Sequence, residues 1–468
     1  MIRIFRHYVP VQLVLLAAVE AAILVLSIYL AVTLRFIGGD ESDLLTIGPV
    51  VWRAVLFAIV MLITMTAFGM FTRKSQTGDM GYYIRFLASF ATGSIAMTFI
   101  FYLLPDLFLG RGIMALAFMF AFVGTALSRL IFVRLVDMTT LKRRLLVLGT
   151  GTRAAQISHL FEQDEDLRRK FNLVGYLALT KTAHHPHVAR DKLLEHNGNL
   201  LAIASRHRVD EIVVAIRDRR NGGLNIDELL ECKLDGIEVT DISSFFERET
   251  GHVQLDSLNP SWMVFSDGFS RTSTKSTSKR IFDIIVSLLL LAVTLPITLL
   301  TALLILLESG APIFYRQERM GECGHVFGVL KFRSMYQNAE QAGKPQWAKI
   351  NDDRVTQVGR VIRKLRIDEL PQIINVLRGN MSFVGPRPER PYFVQQLATQ
   401  IPFYLNRHTV KPGITGWAQI RYPYGSTVDD AMHKLQYDLY YAKNHSLFLD
   451  LIILFQTAQV VLFGKGAR

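Results

Sequence analysis

Cysteine is almost missing from this 468-residue chain: Cys232 and Cys323 are the two it has, and neither is flanked by metal-ligand spacing. Two isolated thiols exclude a disulfide framework and a zinc site, and they fit a protein facing the reducing cytosol. Acid is in short supply as well, with 40 Asp and Glu against 52 Lys and Arg, a net charge of +12. No recognition helix and no aromatic-basic sheet motif accompanies that excess, which argues against nucleic acid as a partner. No small-residue cleavage site follows the arginines of Met1 to Arg6, so the apolar run after them reads as an anchor and not a removable signal. No Tyr-x-x-x-Lys pair stands after Gly151, which weakens one rival reading, a membrane-anchored NAD-dependent nucleotide-sugar dehydratase or epimerase.

Apolar residues, by contrast, make up 50% of the chain and the mean hydropathy is positive, too high for an ordinary soluble protein. Membrane-length runs are expected at Val11 to Thr33, Pro49 to Phe71, Tyr83 to Leu104 and Ile113 to Val136, a four-helix bundle over residues 1–140. Glu20, inside the first run, reads as a packing or assembly residue. Arg3, Arg6, Arg73, Lys74, Lys142, Arg143 and Arg144 alternate along the chain with the acidic loops of Asp40, Glu41, Asp43 and Asp106. By the positive-inside bias, both ends of the bundle are cytoplasmic.

Residues 141–265 read as a small Rossmann-like α/β domain. Leu145-Leu146-Val147-Leu148 is a buried strand opening into Gly149-Thr150-Gly151-Thr152-Arg153-Ala154, a G-x-G-x-x-A turn. Further strands are expected at Leu173 to Leu179, Glu211 to Ile216 and Gly236 to Thr240. The acid that would hold a ribose is absent where the second strand ends, in Leu177-Ala178-Leu179-Thr180, so a structural or regulatory role is expected before NAD binding. His184, His185 and His187 flank Pro186 and read as a solvated loop, and residues 266–278, rich in Ser and Thr, as a linker.

A fifth apolar run, Ile284 to Leu307, poses the topological question. If it crossed the bilayer, Arg316, Arg319, Lys331, Arg333, Arg360 and Arg363 would all lie outside, against the charge bias. Pro296 in mid-run predicts a kink at Thr294 or Leu295, and the run is read as a re-entrant helix over residues 281–308. Strand-turn segments are expected from Pro312 to Met335, with Lys331 and Arg333 on one face and Phe332 in the core. Asp352-Asp353 reads as a solvated turn and not a metal pair. Tyr437 to Tyr441 and Phe448 to Phe463 suit a membrane-surface or subunit contact.

The chemistry concentrates at Lys364-Leu365-Arg366-Ile367-Asp368-Glu369-Leu370-Pro371-Gln372. Pro371 disfavours helix at Leu370, so a helix carrying Val358 to Arg366 stops near Asp368. A second helix runs from Pro371 to Arg378 and is capped by Gly379. Two carboxylates thus sit at a helix break among Arg360, Arg363 and Lys364, poised for phosphate chemistry.

That run, with Lys331-Phe332-Arg333-Ser334-Met335 before it and Met381-Ser382-Phe383-Val384-Gly385-Pro386-Arg387-Pro388-Glu389 and Lys411-Pro412-Gly413-Ile414-Thr415-Gly416-Trp417-Ala418-Gln419 after it, resembles the bacterial sugar transferases, the polyprenyl-phosphate hexose-1-phosphate transferases. The resemblance covers Lys279 to the C-terminus. It implies a mixed α/β catalytic domain over residues 279–468 on a re-entrant helix, behind a transmembrane bundle and a Rossmann-like domain. Phe246-Glu247-Arg248 and Asn259-Pro260-Ser261-Trp262 look similar to the segment ending that domain.

The implied reaction moves a hexose-1-phosphate from a UDP-sugar to undecaprenyl phosphate with release of UMP, the first membrane step of exopolysaccharide or capsule synthesis at the bacterial inner membrane. Asp368 as nucleophile of a covalent phospho-sugar intermediate and Glu369 as Mg²⁺ ligand are roles taken from the resemblance alone. Lys331, Arg333, Arg366 and Arg387 are expected phosphate contacts, with Pro386 and Pro388 aiming Arg387. Arg366 and Arg387 are equally open to a structural pairing with Glu369 or Glu389. A homodimer is the expected assembly. The remaining alternative is a non-enzymatic membrane assembly protein with a dead transferase domain, against which the presence of Asp368, Glu369, Lys331, Arg333 and Arg387 argues.

Overall fold

A computed structural model describes residues 2–4, 7–9, 11–36, 50–71, 80–136, 142–178, 187–194, 199–216, 225–255, 269, 273–336, 354–423, 425 and 427–462. Asp352-Asp353, His184 and His185, Asn259 to Trp262, most of the 266–278 linker, and the loop charges Arg6, Asp40, Glu41, Asp43, Arg73 and Lys74 lie outside the described residues. The chain forms two compact units, Met1–Arg134 with Gly268–Arg468, and Leu135–Asp267.

In the first unit, helices α1 (Val11–Arg35), α2 (Val50–Ala67), α3 (Met80–Leu103) and α4 (Arg111–Val136) are long and apolar enough to cross a membrane. Leu24, Phe57, Met61, Met97 and Ala117 face one another in the core, while Leu15, Leu26, Ile59, Ile95 and Phe99 point outward. Leucines on the outside suit a bundle solvated by acyl chains. Glu20 is buried and takes the Arg129 guanidinium in two contacts, Nε at 2.6 Å and Nη2 at 2.8 Å, while Nη1 donates to the Met70 carbonyl and the Tyr82 hydroxyl. A charge at that depth survives because it is paired.

The second unit is a doubly wound sheet. Its strands are β1 (Arg143–Leu148), β2 (Phe171–Leu177), β3 (Leu193–Leu194), β4 (Glu211–Val214) and β5 (Glu238–Asp241), all parallel, in the order 3-2-1-4-5. Continuous apolar runs such as Leu145–Leu148 are what a sheet covered on both faces needs, and helices α5 (Thr152–Gln163), α6 (Leu200–Arg206), α7 (Ile226–Leu234) and α8 (Ile242–Thr250) supply the cover. Gly149 has φ +123, and a Cβ there would meet the Ala215 carbonyl, which is why the first strand can turn so tightly into α5.

The first unit resumes with α9 (Ser273–Ser309), 37 residues in which Pro296 lies without ending the helix. Thr294 and Thr298 flank the proline and bond back to the carbonyls four residues earlier. Nothing from Leu288 to Leu300 is buried. Both ends, however, are gripped. Near the start, Arg280 donates to the Val376 and Leu377 carbonyls, Lys279 pairs with Asp450 at 2.6 Å, and Asp283 accepts from Ser382 Oγ and the Phe383 N–H. At the far end, Glu308 accepts from the Gln357 and Val358 N–H groups, and Ile305 packs with Phe332 and Ile362.

The body that holds them is built from an antiparallel hairpin, β6 (Phe314–Met320) and β7 (Val326–Phe332), the helices α10 (Gln357–Lys364) and α11 (Gln372–Arg378), and a parallel pair, β8 (Ser382–Val384) and β9 (Gly413–Thr415). Helices α12 (Pro391–Gln400), α13 (Trp417–Arg421), α14 (Val428–Asn444) and α15 (Leu447–Leu462) complete it, and α15 also packs on α2.

Candidate active site

The break between α10 and α11 forms as its residue types dictate. Thr356 caps α10 by accepting from the Gly359 N–H, and the helix ends at Lys364. Arg366 then takes φ +59, a left-handed turn that non-glycine residues seldom adopt, and a 3₁₀ turn over Ile367–Glu369 presents both acids before Pro371 and α11. Gly379, at φ +86, closes α11. Asn375, buried in α11, locks this turn to the hairpin: its Nδ2 donates to the Gly328 carbonyl and its Oδ1 accepts the Leu330 N–H.

The two acids meet different surroundings. Glu369 Oε1 accepts from Lys331 Nζ at 3.0 Å and from Arg387 Nη2 at 3.2 Å, and Oε2 faces Arg366 Nη1 at 3.9 Å. Burial alone would raise its pKa, but the Arg387 and Lys331 charges prevail and hold it at about 2. Asp368 is buried and, among the described residues, its carboxylate has no hydrogen-bond or ion-pair partner. Burial, then the neighbouring Glu369 charge, raises its pKa, against the pull of Lys331, Arg363 and Arg366. Burial likewise lowers the pKa of Lys331, against the pull of Glu369.

Arg387 is held by its own backbone. Successive carbonyls of the Pro386–Glu389 segment each accept a bond from a different element: Pro386 from the Gly413 N–H, Arg387 from Arg407 Nη2, Pro388 from Arg319 Nη1, and Glu389 from the Met320 N–H. Glu389 pairs loosely with Arg319, at 3.6 Å, and Glu369 engages Arg387 at 3.2 Å.

Of the expected phosphate contacts, Lys331, Arg366 and Arg387 therefore converge on Glu369. Arg333 does not. It follows the last residue of β7, is buried, and its Nη2 donates to the Ser309 carbonyl and hydroxyl and to the Gly310 carbonyl at the end of α9. There it acts as a cation on a helix C-terminus. Arg319, Arg407 and Asn375, which position the site, were not singled out for it by sequence reasoning; the one local signal for Arg407 is its place just ahead of the Lys411-Pro412-Gly413 turn.

Among the described residues no group of three or more His, Cys, Asp or Glu gathers that could cage a metal. Mg²⁺ does not require one, since it commonly takes one or two carboxylates and completes its shell with phosphate oxygens and water. The adjacent Asp368 and Glu369 fit that donor set.

Residues 274–464 match the family model described as bacterial sugar transferase, and residues 66–224 match one described as a CoA-binding domain. The chain is 44% identical over 261 residues to a UDP-N-acetylgalactosamine-undecaprenyl-phosphate N-acetylgalactosaminephosphotransferase of Aeromonas hydrophila, covering 56% of this chain and 61% of that protein. It is 33% identical over 336 residues to an undecaprenyl-phosphate glucose phosphotransferase of Komagataeibacter xylinus, covering 70% of this chain and 60% of the relative. The chain thus spans about three fifths of the length of these two curated relatives. A sugar transferase of Bacillus subtilis (strain 168), EpsL, of uncharacterized role, is 42% identical over 194 residues, 41% of this chain but 90% of the relative.

Proposed function

From the premise that the chain belongs to the bacterial sugar transferase family, we propose that it transfers a sugar-1-phosphate from a UDP-sugar to undecaprenyl phosphate, with Asp368 as the nucleophile. The observation that carries this reading is the division of labour between the acids. Glu369 is ionised and clamped by cations, while the Asp368 carboxylate is buried beside it and, among the described residues, has no hydrogen-bond or ion-pair partner to give up before it attacks.

The transfer runs as two displacements. An Asp368 oxygen forms a bond to the phosphorus nearest the sugar, and the anhydride bond breaks so that UMP departs with the electron pair. An oxygen of the lipid phosphate then attacks the same phosphorus, and the aspartyl–phosphorus bond breaks, restoring the carboxylate and yielding the lipid diphosphate sugar. Lys331, Arg366 and Arg387 offset the charge of the converging phosphates. Glu369, with Asp368 beside it, would hold Mg²⁺, which supplies further neutralisation of the diphosphate.

Helix α9 brings this chemistry to head-group depth. One body grips both of its ends, while the middle from Leu288 to Leu300 stays uncovered; a helix crossing the bilayer would need grips on opposite sides. A re-entrant helix, entering and leaving on the cytoplasmic face of the inner membrane, satisfies both facts. The sugar is assigned first to N-acetylgalactosamine, after the 44% identical relative, and the product to exopolysaccharide or capsule assembly.

The test is to trap the intermediate. Incubated with UDP-sugar labelled in the sugar and with Mg²⁺, then denatured, the protein should carry label on the peptide containing Asp368. Label persisting in Asp368→Asn would remove the nucleophile assignment.

A further inference from the structure

Arg407 is buried in the 3₁₀ turn Tyr404–Thr409, far from the surface where a cation is cheap. Its Nη1 donates to the Tyr404 hydroxyl at 2.8 Å, and its Nη2 pairs with Asp438 Oδ2 at 2.7 Å and donates to the Arg387 carbonyl at 3.0 Å. Asp438, in the middle of α14, is 2% exposed. Burying an ion pair gains little stability over an apolar core of the same shape, so stability alone does not account for this one. What it does reach is the backbone of the residue whose guanidinium grips Glu369.

We propose that Arg407 and Asp438 are positioning residues: Asp438 aims the Arg407 guanidinium, which fixes the Arg387 carbonyl and so holds the Arg387 side chain against Glu369. The proposal rests on reading Asp368 and Glu369 as the reacting centre. Nη2 bonds the carboxylate and the carbonyl at once while Nη1 takes the Tyr404 hydroxyl, a spread of donors over two nitrogens that the single, shorter-reaching ammonium of a lysine does not reproduce. Loss of the carbonyl bond frees the Pro386–Glu389 segment at one of its four ties, and a displacement of about 1 Å at such a site costs on the order of 10²-fold in rate.

The experiment measures nucleoside monophosphate release by the full chain in lipid, from a panel of UDP-N-acetylgalactosamine, UDP-glucose and UDP-galactose with undecaprenyl phosphate, alongside thermal unfolding. R407Q should lose both melting temperature and rate. R407K should recover much of the melting temperature, because Asp438 again faces a cation, but not the rate. R387K/R407K should be no slower than R387K alone, and D438N should behave as R407K does in the same cycle. Rate recovered together with stability in R407K, or losses that multiply in the double variant, would overturn the proposal. Failure of both R407K and D438N to fold would do so too, assigning the pair to the fold. A wild-type protein that releases no nucleotide from any sugar would instead sink the transferase reading itself.

Discussion

Asp368 and Glu369 are covalent neighbours that answer to different fields, and their titration should show it. Glu369 falls from its ordinary 4.5 to about 2, so between those values the folded state binds fewer protons than the unfolded one. Its contribution, roughly 3 kcal/mol from 1.36 kcal/mol per pKa unit, is full above the ordinary value and is lost as pH falls toward the folded one. Melting temperatures between about pH 3 and pH 7 should therefore slope downward on the acid side in the wild type and lose that component in Glu369→Gln. Asp368 shifts the other way. The acid limb of the rate profile should sit above an ordinary aspartate's, and Arg363→Ala should move it higher still, because the Arg363 charge is one of those that favour the ionised form. An acid limb that stays put in that variant would show that another group sets it. Most of this site was legible in the sequence, because Pro371, Gly379 and the acid pair act through bonds a few residues long. Arg333 lies apart from the cations on Glu369, because the pairing of β7 ends at Phe332 and past that point the side chain turns to the end of α9. Asp438 left no signal and Arg407 only its place ahead of the Lys411-Pro412-Gly413 turn, since what joins them is the packing of α14 against a distant turn.

Helix α9 is the element on which the topology hangs. Its apolar length was readable at once, and so were the four spans before it and the parallel strands of the second unit. Its anchorage was not, because Asp283, Glu308 and Arg280 bind groups supplied from strand β8, α10 and α11, which lie 49 to 100 positions away in the chain. Cys323, exposed in the turn between β6 and β7 and close behind α9, offers a native reporter, because Cys232 is buried. If α9 turns back, a membrane-impermeant maleimide added to intact spheroplasts should leave Cys323 unlabelled until the membrane is opened. Labelling in sealed spheroplasts would place the hairpin outside, with α9 across the bilayer and the acid pair cut off from the nucleotide pool.

Taken whole, the molecule carries much that its Bacillus relative does without. The Bacillus relative is matched over 90% of its length by only 41% of this chain, so that protein is built almost entirely of the counterpart to the catalytic body. The bundle is held together from within, by Glu20 and Arg129 locked between α1 and α4, while the cations on Glu369, namely Lys331, Arg366 and Arg387, come from β7 and from beyond α10. The bundle meets the catalytic body where α15 packs on α2. Severing that contact should therefore expose a strip of α15 and lower stability without disturbing the acid pair, whose supports all lie between α9 and α14. A chain of residues 268–468, purified into lipid nanodiscs, should release nucleoside monophosphate within about tenfold of the full protein's rate, about 1.4 kcal/mol in barrier, at a lower melting temperature. A folded fragment with no activity would mean that the bundle or the α/β unit shapes the site in a way its own contacts do not disclose.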